Sequence, residues 1–360
     1  MTTRVLIMAG GTGGHVFPAL AVADELRLQH CDVFWMGTEN GIEAKLVPAA
    51  GYPLTFIHVK GLRGNGLIGW ALAPFRLLKA VYEAIIAIKK LKPDVVLGMG
   101  GFASGPGGLA AWLLRTPVVI HEQNAIPGLT NRLLAKLAKQ VLEGFTQSFD
   151  TSQGALWVGN PVRASIESIS PPDNRFASRM GPIRLLVLGG SLGAKALNNA
   201  VPQAMALINQ PNLFEIKHQC GERHLSDCRQ NYEGVTIKVE VTAFIDDMTS
   251  AYAWADLVIC RAGALTIAEL AASGVGALLV PYPYAVDDHQ THNALVLMTS
   301  GAAQLIPEDT LTADLLLKEL SFFIDNREQL LKMANAARSQ AKLGTAKVVA
   351  DICLKEVSHA

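Results

Sequence analysis

The sequence has no surplus of charge, few cysteines and no apolar run of membrane length, and each shortage removes a class of protein. Its 31 basic and 31 acidic side chains cancel. This excludes a general nucleic-acid binder, because displacing counterions from a phosphate backbone needs a basic surplus. The five cysteines, Cys31, Cys220, Cys228, Cys260 and Cys353, show neither C-x-x-C spacing nor the density of a disulfide scaffold. They point to a reduced, cytosolic setting. The apolar run opening at Val5 ends at Gly10, and Leu67 to Leu78 is broken by Pro74 and Arg76. Neither reads as a signal peptide or a membrane span, so any contact with a membrane would lie at its surface.

Charged residues make up 17% of the chain and hydrophobic ones 50%, which excludes disorder. A chain of 360 residues also exceeds what one core supports, about 250–300 residues, so two domains are expected. The neutral sum hides an asymmetry. Met1 to Arg163 holds 15 basic against 10 acidic residues, and the remainder 16 against 21. Lys60 to Lys92 alone has seven basic residues and one acidic residue, Glu83.

Apolar runs of β type alternate with helical patterns, the signature of parallel sheets with crossover helices. The strand candidates are 5–8, 32–36, 95–98 and 118–121 in the first half, and 185–188, 214–218, 257–260 and 277–280 in the second. The segment from Ile169 to Pro182, with three prolines and no sustained apolar period, is the best linker candidate. Val5-Leu-Ile-Met-Ala-Gly-Gly-Thr-Gly-Gly14 and Arg184-Leu-Leu-Val-Leu-Gly-Gly-Ser-Leu-Gly193 form a weak internal repeat, each a strand running into a glycine loop. The fold class expected is α/β, with two Rossmann-like parallel-sheet domains facing across a cleft. Ligands would sit beyond the carboxyl ends of the strands.

Three glycine loops follow strand candidates: Gly10 to His15, Gly98 to Gly108, and Gly189 to Ala194. Each is either a tight strand-to-helix turn or a cradle in which backbone N–H groups meet an anion at a helix start, and three together favour a diphosphate or sugar ligand. None completes a dinucleotide fingerprint, since Val16 stands where the third glycine belongs, and Lys195 between two alanines is no Walker A lysine. A nicotinamide dehydrogenase is thereby disfavoured.

These loops, with Val16-Phe-Pro18, His121-Glu-Gln-Asn124, Gly159-Asn-Pro-Val-Arg163, Phe244-Ile-Asp-Asp-Met248, Arg261-Ala-Gly-Ala-Leu-Thr-Ile-Ala-Glu-Leu270, Asp287-Asp-His-Gln290 and Asn293, closely resemble the MurG family of bacterial N-acetylglucosaminyltransferases over nearly the whole chain. The resemblance implies a GT-B fold. It also implies transfer of N-acetylglucosamine from UDP-N-acetylglucosamine to the muramoyl C4 hydroxyl of lipid I, with inversion, giving lipid II for peptidoglycan synthesis. The domains expected are 1–163 for acceptor and membrane, and 164–340 for the donor, with a helix at about 340–360 returning to the first. The place implied is peripheral, on the cytoplasmic face of the inner membrane, beside an anionic lipid surface and proteins of the elongation and division machinery. Leu192 departs from the family, which usually has Gln there.

GT-A enzymes often hold a metal with Asp-x-Asp, which this sequence lacks, so no metal or other cofactor is expected. Leaving-group stabilisation then falls to backbone N–H groups near Ser191 and to a cation, which the resemblance makes Arg163. His15 is the leading general base, since an unperturbed imidazole titrates near 6.5; Glu122 is the alternative, and His121 reads as a hydrogen-bonded histidine at a strand end. Glu269 is either part of a capping box with Thr266 or, by resemblance, the ribose-binding carboxylate beside Ala264, Leu265, Thr266, Ile267 and Ala268. Thr12, Gly13 and Gly14, Asn124 and Gln290 as sugar contacts, and Ile245 as the backbone that reads uracil complete the donor set. Gly100, Gly101 and Ser104 are expected at the acceptor diphosphate.

Trp70, Leu72 and Phe75, interleaved with Arg76 and Lys79, read either as a membrane-docking stretch, which Trp112 would join, or as a core helix with a charged outer face. Two other functions compete. A UDP-N-acetylglucosamine 2-epimerase would share the architecture but leave this apolar-basic stretch unexplained. A non-catalytic nucleotide-sugar-binding protein would bind donor without transfer.

Overall fold

A computed structural model describes residues 2–59, 66–208 and 210–357, and the side chains within these except those of 66–72 and 286. The chain forms two compact units, Met1–Arg163 with Gly344–Ala360, and Ala164–Leu343.

The first unit is built on seven parallel strands, β1 (Arg4–Met8), β2 (Asp32–Gly37), β3 (Leu54–Phe56), β4 (Val95–Gly98), β5 (Val118–Glu122), β6 (Gln140–Glu143) and β7 (Leu156–Trp157), in the order β3-β2-β1-β4-β5-β6-β7. Strand β1 is interior to the sheet and apolar from Val5 to Met8, because both of its faces are covered there. Val5 and Ile7 point into a core shared with helices Gly13–Leu28 and Thr345–Val357. Leu6 and Met8 point into a second core under helices Gly66–Leu91 and Ser104–Leu113. All four side chains are fully buried, each worth about 1.5–3 kcal/mol of transfer free energy. The order reverses between β1 and β4, which pair Ile7 with Leu97. The loops from Gly10 and Gly98 therefore leave the sheet side by side at its carboxyl end, where ligands of such sheets bind.

The helix Thr345–Val357 belongs to this unit although it follows the other in sequence. It buries Ala346, Val349, Ala350 and Cys353 against the helix that starts at Gly13, and Thr345 Oγ1 donates to the Val158 carbonyl at 2.9 Å.

The second unit repeats the device with six parallel strands, β8 (Ile183–Leu188), β9 (Phe214–Gln219), β10 (Lys238–Thr242), β11 (Leu257–Cys260), β12 (Gly276–Leu279) and β13 (Ala303–Leu305), in the order β10-β9-β8-β11-β12-β13. Its reversal lies between β8 and β11, so the Gly189 loop and the Arg261-Ala-Gly loop emerge together. The proline-rich segment 169–182 is not the linker expected from composition. It lies wholly inside the second unit, with a helix at Pro172–Phe176. Arg175 donates to the carbonyls of Ser273 and Gly274, Arg179 donates to those of Ala253 and Trp254, and Arg179 also pairs with Asp256 at 3.4 Å. Prolines there shape a tethered strap.

Candidate active site

The first glycine loop is organised by a side chain that its own motif does not contain. Glu43, fully buried, accepts hydrogen bonds from Gly11 N at 2.9 Å and from the Thr38 amide and hydroxyl at 2.9 and 2.8 Å. Its carboxylate fills the space where side chains at Gly10, Gly37 or Gly41 would stand. The loop then delivers Thr12, Gly13 and Gly14 to the start of helix Gly13–Leu28, which no side chain caps. The second loop packs directly on the first. A Cβ at Gly101, whose φ is +89°, would fall 2.4 Å from the Gly10 carbonyl oxygen, and one at Gly100 would fall 2.6 Å from His15 Nδ1. Glycine is required at both places by contact as well as by conformation.

Ser104, expected at the acceptor diphosphate, is instead completely buried. Its hydroxyl lies between the carbonyls of Met8 and Gly100, at 2.9 and 2.8 Å. The side chain pins the second loop to β1.

His15 and Glu122, the two base candidates, stand in contrasting surroundings. His15 is partly exposed, and its Nδ1 lies 2.8 Å from Gln123 Oε1. The carboxylate of Glu122 is buried and already accepts four hydrogen bonds. Oε1 takes them from Asn124 N at 2.9 Å and Asn124 Nδ2 at 3.1 Å, and Oε2 from Gly128 N at 3.0 Å and Asn131 Nδ2 at 2.9 Å. A carboxylate saturated in this way clamps its loop. His121 is wholly buried, its Nε2 2.8 Å from the Gly159 carbonyl, and burial pushes its pKa down to about 4. Arg163 lies over the Phe17 ring at 5.3 Å, close to the helix that carries His15.

In the second unit, the Gly189 loop is held by Gln219, whose amide accepts from Gly190 N at 3.1 Å and donates to the Gly190 and Ala243 carbonyls at 3.0 Å. Ser191 and Leu192 are exposed at the tip, Leu192 by 75%. The helix Ala264–Ser273 begins at Gly263 and has no side-chain cap. Thr266 is therefore within the first turn and not at the cap, which rules out the capping box. Glu269 lies buried one turn on, with Tyr252 Oη donating to its Oε2 at 3.1 Å. Ala264 and Ile267 are buried, whereas Leu265, Thr266 and Ala268 are partly exposed. Gln290 Oε1 accepts from Ala262 N at 3.2 Å and Tyr282 N at 2.9 Å, which fixes its side chain beside this helix start. Ile245 lines a small hollow with Lys217, Thr242 and Asp247.

The helix Gly66–Leu91 buries Ala80, Val81, Ala84, Ala87 and Ile88. Its outer face mixes apolar and charged side chains: Phe75, Leu78, Tyr82 and Ile86 stand 70%, 67%, 64% and 50% exposed at helical spacing. Arg76 and Lys79 are exposed beside them, and Trp112 is exposed on the neighbouring helix Ser104–Leu113. The side chains of Trp70 and Leu72 lie outside the described residues. Among the described residues no helix is long and apolar enough to cross a membrane.

Residues 5–143 match the glycosyltransferase family 28 N-terminal domain, and 184–349 match the family 28 C-terminal domain. A UDP-N-acetylglucosamine–N-acetylmuramyl-(pentapeptide) pyrophosphoryl-undecaprenol N-acetylglucosamine transferase from Nitrosococcus oceani is 53% identical over 99% of this chain and 100% of its own. The crystal structure of Acinetobacter baumannii MurG superposes with a TM-score of 0.83 at 42% identity, over 98% of this chain and 99% of that one. The chain belongs to the MurG family. It is thus a glycosyltransferase with the two parallel-sheet domains of the GT-B class. A UDP-GlcNAc 2-epimerase from Neisseria meningitidis bound to UDP-GlcNAc gives a TM-score of 0.67 at 13% identity, over 98% of this chain and 100% of that one, and so shares the fold alone. MurG membership leaves the epimerase alternative disfavoured.

Proposed function

We propose that this chain moves N-acetylglucosamine from UDP-N-acetylglucosamine to the C4 hydroxyl of lipid I, undecaprenyl-pyrophosphoryl-muramoyl-pentapeptide, with inversion at the anomeric carbon, giving lipid II and UDP. The observation that carries the reading is the 53% identity, end to end, with a transferase named for that reaction.

His15 takes the acceptor proton as the hydroxyl oxygen forms its bond to the anomeric carbon. The bond from that carbon to the diphosphate breaks, and the electron pair leaves with UDP. The Glu122 carboxylate favours His15 in this role, because the four hydrogen bonds it accepts occupy both of its oxygens. Negative charge on the departing diphosphate is met by backbone N–H groups at Ser191 and at the start of helix Ala264–Ser273, together with Arg163. Glu269 accepts from the ribose hydroxyls, and Ile245 reads uracil through its backbone. Gln290 and Asn124 contact sugar hydroxyls. Gly100 and Gly101 offer backbone to the acceptor diphosphate, beside Thr12, Gly13 and Gly14.

A peripheral position on an anionic bilayer, on its cytoplasmic face where a polyprenyl-linked acceptor would reside, is supported by the apolar stripe flanked by Arg76 and Lys79. Incubation with UDP-N-acetylglucosamine, a lipid I analogue and a chelator tests the reading. Disaccharide product and UDP are expected; a free epimer, or donor binding without transfer, overturns it.

A further inference from the structure

We propose that Gln123 and His121 are positioning residues that set the tautomer of His15, so that its Nε2 presents the lone pair to the acceptor hydroxyl. The inference rests on the reading of His15 as base, and extends it to two side chains that need not touch substrate.

The hydrogen-bond polarity is fixed from the backbone outward. The Gly159 carbonyl only accepts, so His121 Nε2, 2.8 Å away, carries a hydrogen. Burial keeps this ring neutral near pH 7, which leaves a lone pair on Nδ1. Gln123 Nε2 stands 3.1 Å from that lone pair and 3.1 Å from the His121 carbonyl oxygen. Both are acceptors, so the amide can be oriented in one way only. Its Oε1 therefore faces His15 Nδ1 at 2.8 Å, and Nδ1 must donate. In a neutral imidazole with hydrogen on Nδ1, the lone pair lies on Nε2. Isolated imidazole side chains prefer the opposite tautomer, so the chain Gly159–His121–Gln123–His15 reverses an intrinsic preference.

The surroundings hold the chain rigid. Gln123 is buried, and Asn160 Nδ2 donates to its carbonyl at 2.9 Å. Gly100, lacking a Cβ, leaves room for the His15 ring. As His15 takes a proton on Nε2, Nδ1–H remains bonded to a neutral amide oxygen, which orients the ring without adding charge.

The test is long-range nitrogen–proton NMR of the full-length protein labelled at histidine nitrogen, at a pH where imidazole is neutral, with His15→Ala identifying the resonances. The expected spectrum shows pyrrole-type Nδ1 and pyridine-type Nε2 at His15. Gln123→Met, similar in size but unable to bond, should return the ring toward Nε2–H and lower kcat about 10- to 100-fold, with KM for both substrates within about twofold. Hydrogen on Nε2 of His15 in the wild-type protein overturns the proposal, and that spectrum decides the matter even if Gln123→Met fails to fold. A tautomer that shifts in Gln123→Met without loss of kcat, with full turnover in His15→Ala, would retain the hydrogen-bond chain but remove His15 as the base.

Discussion

The buried Glu43 carboxylate accepts the backbone hydrogen of Gly11 at 2.9 Å, from 32 positions away in sequence. Truncation by Glu43→Ala would leave that amide and both Thr38 donors without their acceptor in a partly buried space. A destabilisation of about 2–4 kcal/mol is expected, read as a lower urea midpoint with unchanged m, together with slower turnover as the His15 loop loosens. Glu43→Gln, which keeps one acceptor, should fall between. A Glu43→Ala protein within about 0.5 kcal/mol of wild type would show that the loop holds itself.

The two base candidates separate by kind of damage. His15→Ala should leave stability and donor affinity in place and reduce kcat by about 10²–10⁴. Glu122→Gln turns an amide N–H toward groups that already donate, so it should unsettle the 124–131 loop by about 1–3 kcal/mol. Paired denaturation and single-turnover measurements distinguish them. Equal losses of kcat with unchanged stability in both variants would contradict this division.

Glu269 and Tyr252 give a graded pair in the second unit. Removing the carboxylate in Glu269→Ala should weaken UDP-N-acetylglucosamine binding by about 10- to 100-fold, the range of a hydrogen bond to a charged group. Tyr252→Phe, which removes only the group that orients it, should cost a fewfold. Calorimetric titration with UDP measures both, and a larger effect from Tyr252→Phe would reverse the assignment.

Replacing Phe75, Leu78 and Tyr82 by serine should lower flotation with anionic vesicles while leaving turnover of a soluble acceptor analogue unchanged. Wild-type flotation should also weaken with salt, because Arg76 and Lys79 act through a screened field. Unaltered flotation would assign the exposed stripe no part in docking.

Buried His218 sets a pH dependence of stability. Its Nε2 lies 3.0 Å from Asn198 Oδ1 and its Nδ1 2.8 Å from Tyr232 Oη, and burial pushes its pKa down to about 3. The unfolded chain takes up the proton near 6.5 and the folded one does not, so the contribution is complete above 6.5 and is lost as pH falls from there toward 3. By pH 5 the loss should be about 2 kcal/mol. His218→Gln should flatten the slope of unfolding free energy between pH 7 and 5; an unchanged slope would mean that His218 is solvated.

The strands and the three glycine loops were legible because strands buried on both faces are continuously apolar and their turns need glycine. What escaped was long-range. Glu43 and Gln219 act on loops from outside the motifs, Gln123 sits inside His121-Glu-Gln-Asn124 but its partner His15 lies 108 positions away, and only the glycines around Glu43, at Gly10, Gly37 and Gly41, hinted that a bulky group was being accommodated. Thr266 and Glu269 have capping-box spacing, but the helix starts at Gly263, and helix ends are poorly marked where the cap is glycine. The prolines of 169–182 looked like a linker because arginine bonds to distant carbonyls leave no trace in composition.

The last described helix closes the core of the unit that opens the chain, and this bears on the order of biosynthesis. The first 163 residues leave the ribosome with the face of their first helix that Thr345–Val357 covers still open, and stay so while the next 180 are made. At roughly 5–20 residues per second that interval is about 10–40 s. The second unit, continuous in sequence, can complete its own core within it. Nascent chains of this enzyme therefore mature from the middle outward, and those stopped short of Thr345 would be left as substrates for chaperones and proteases.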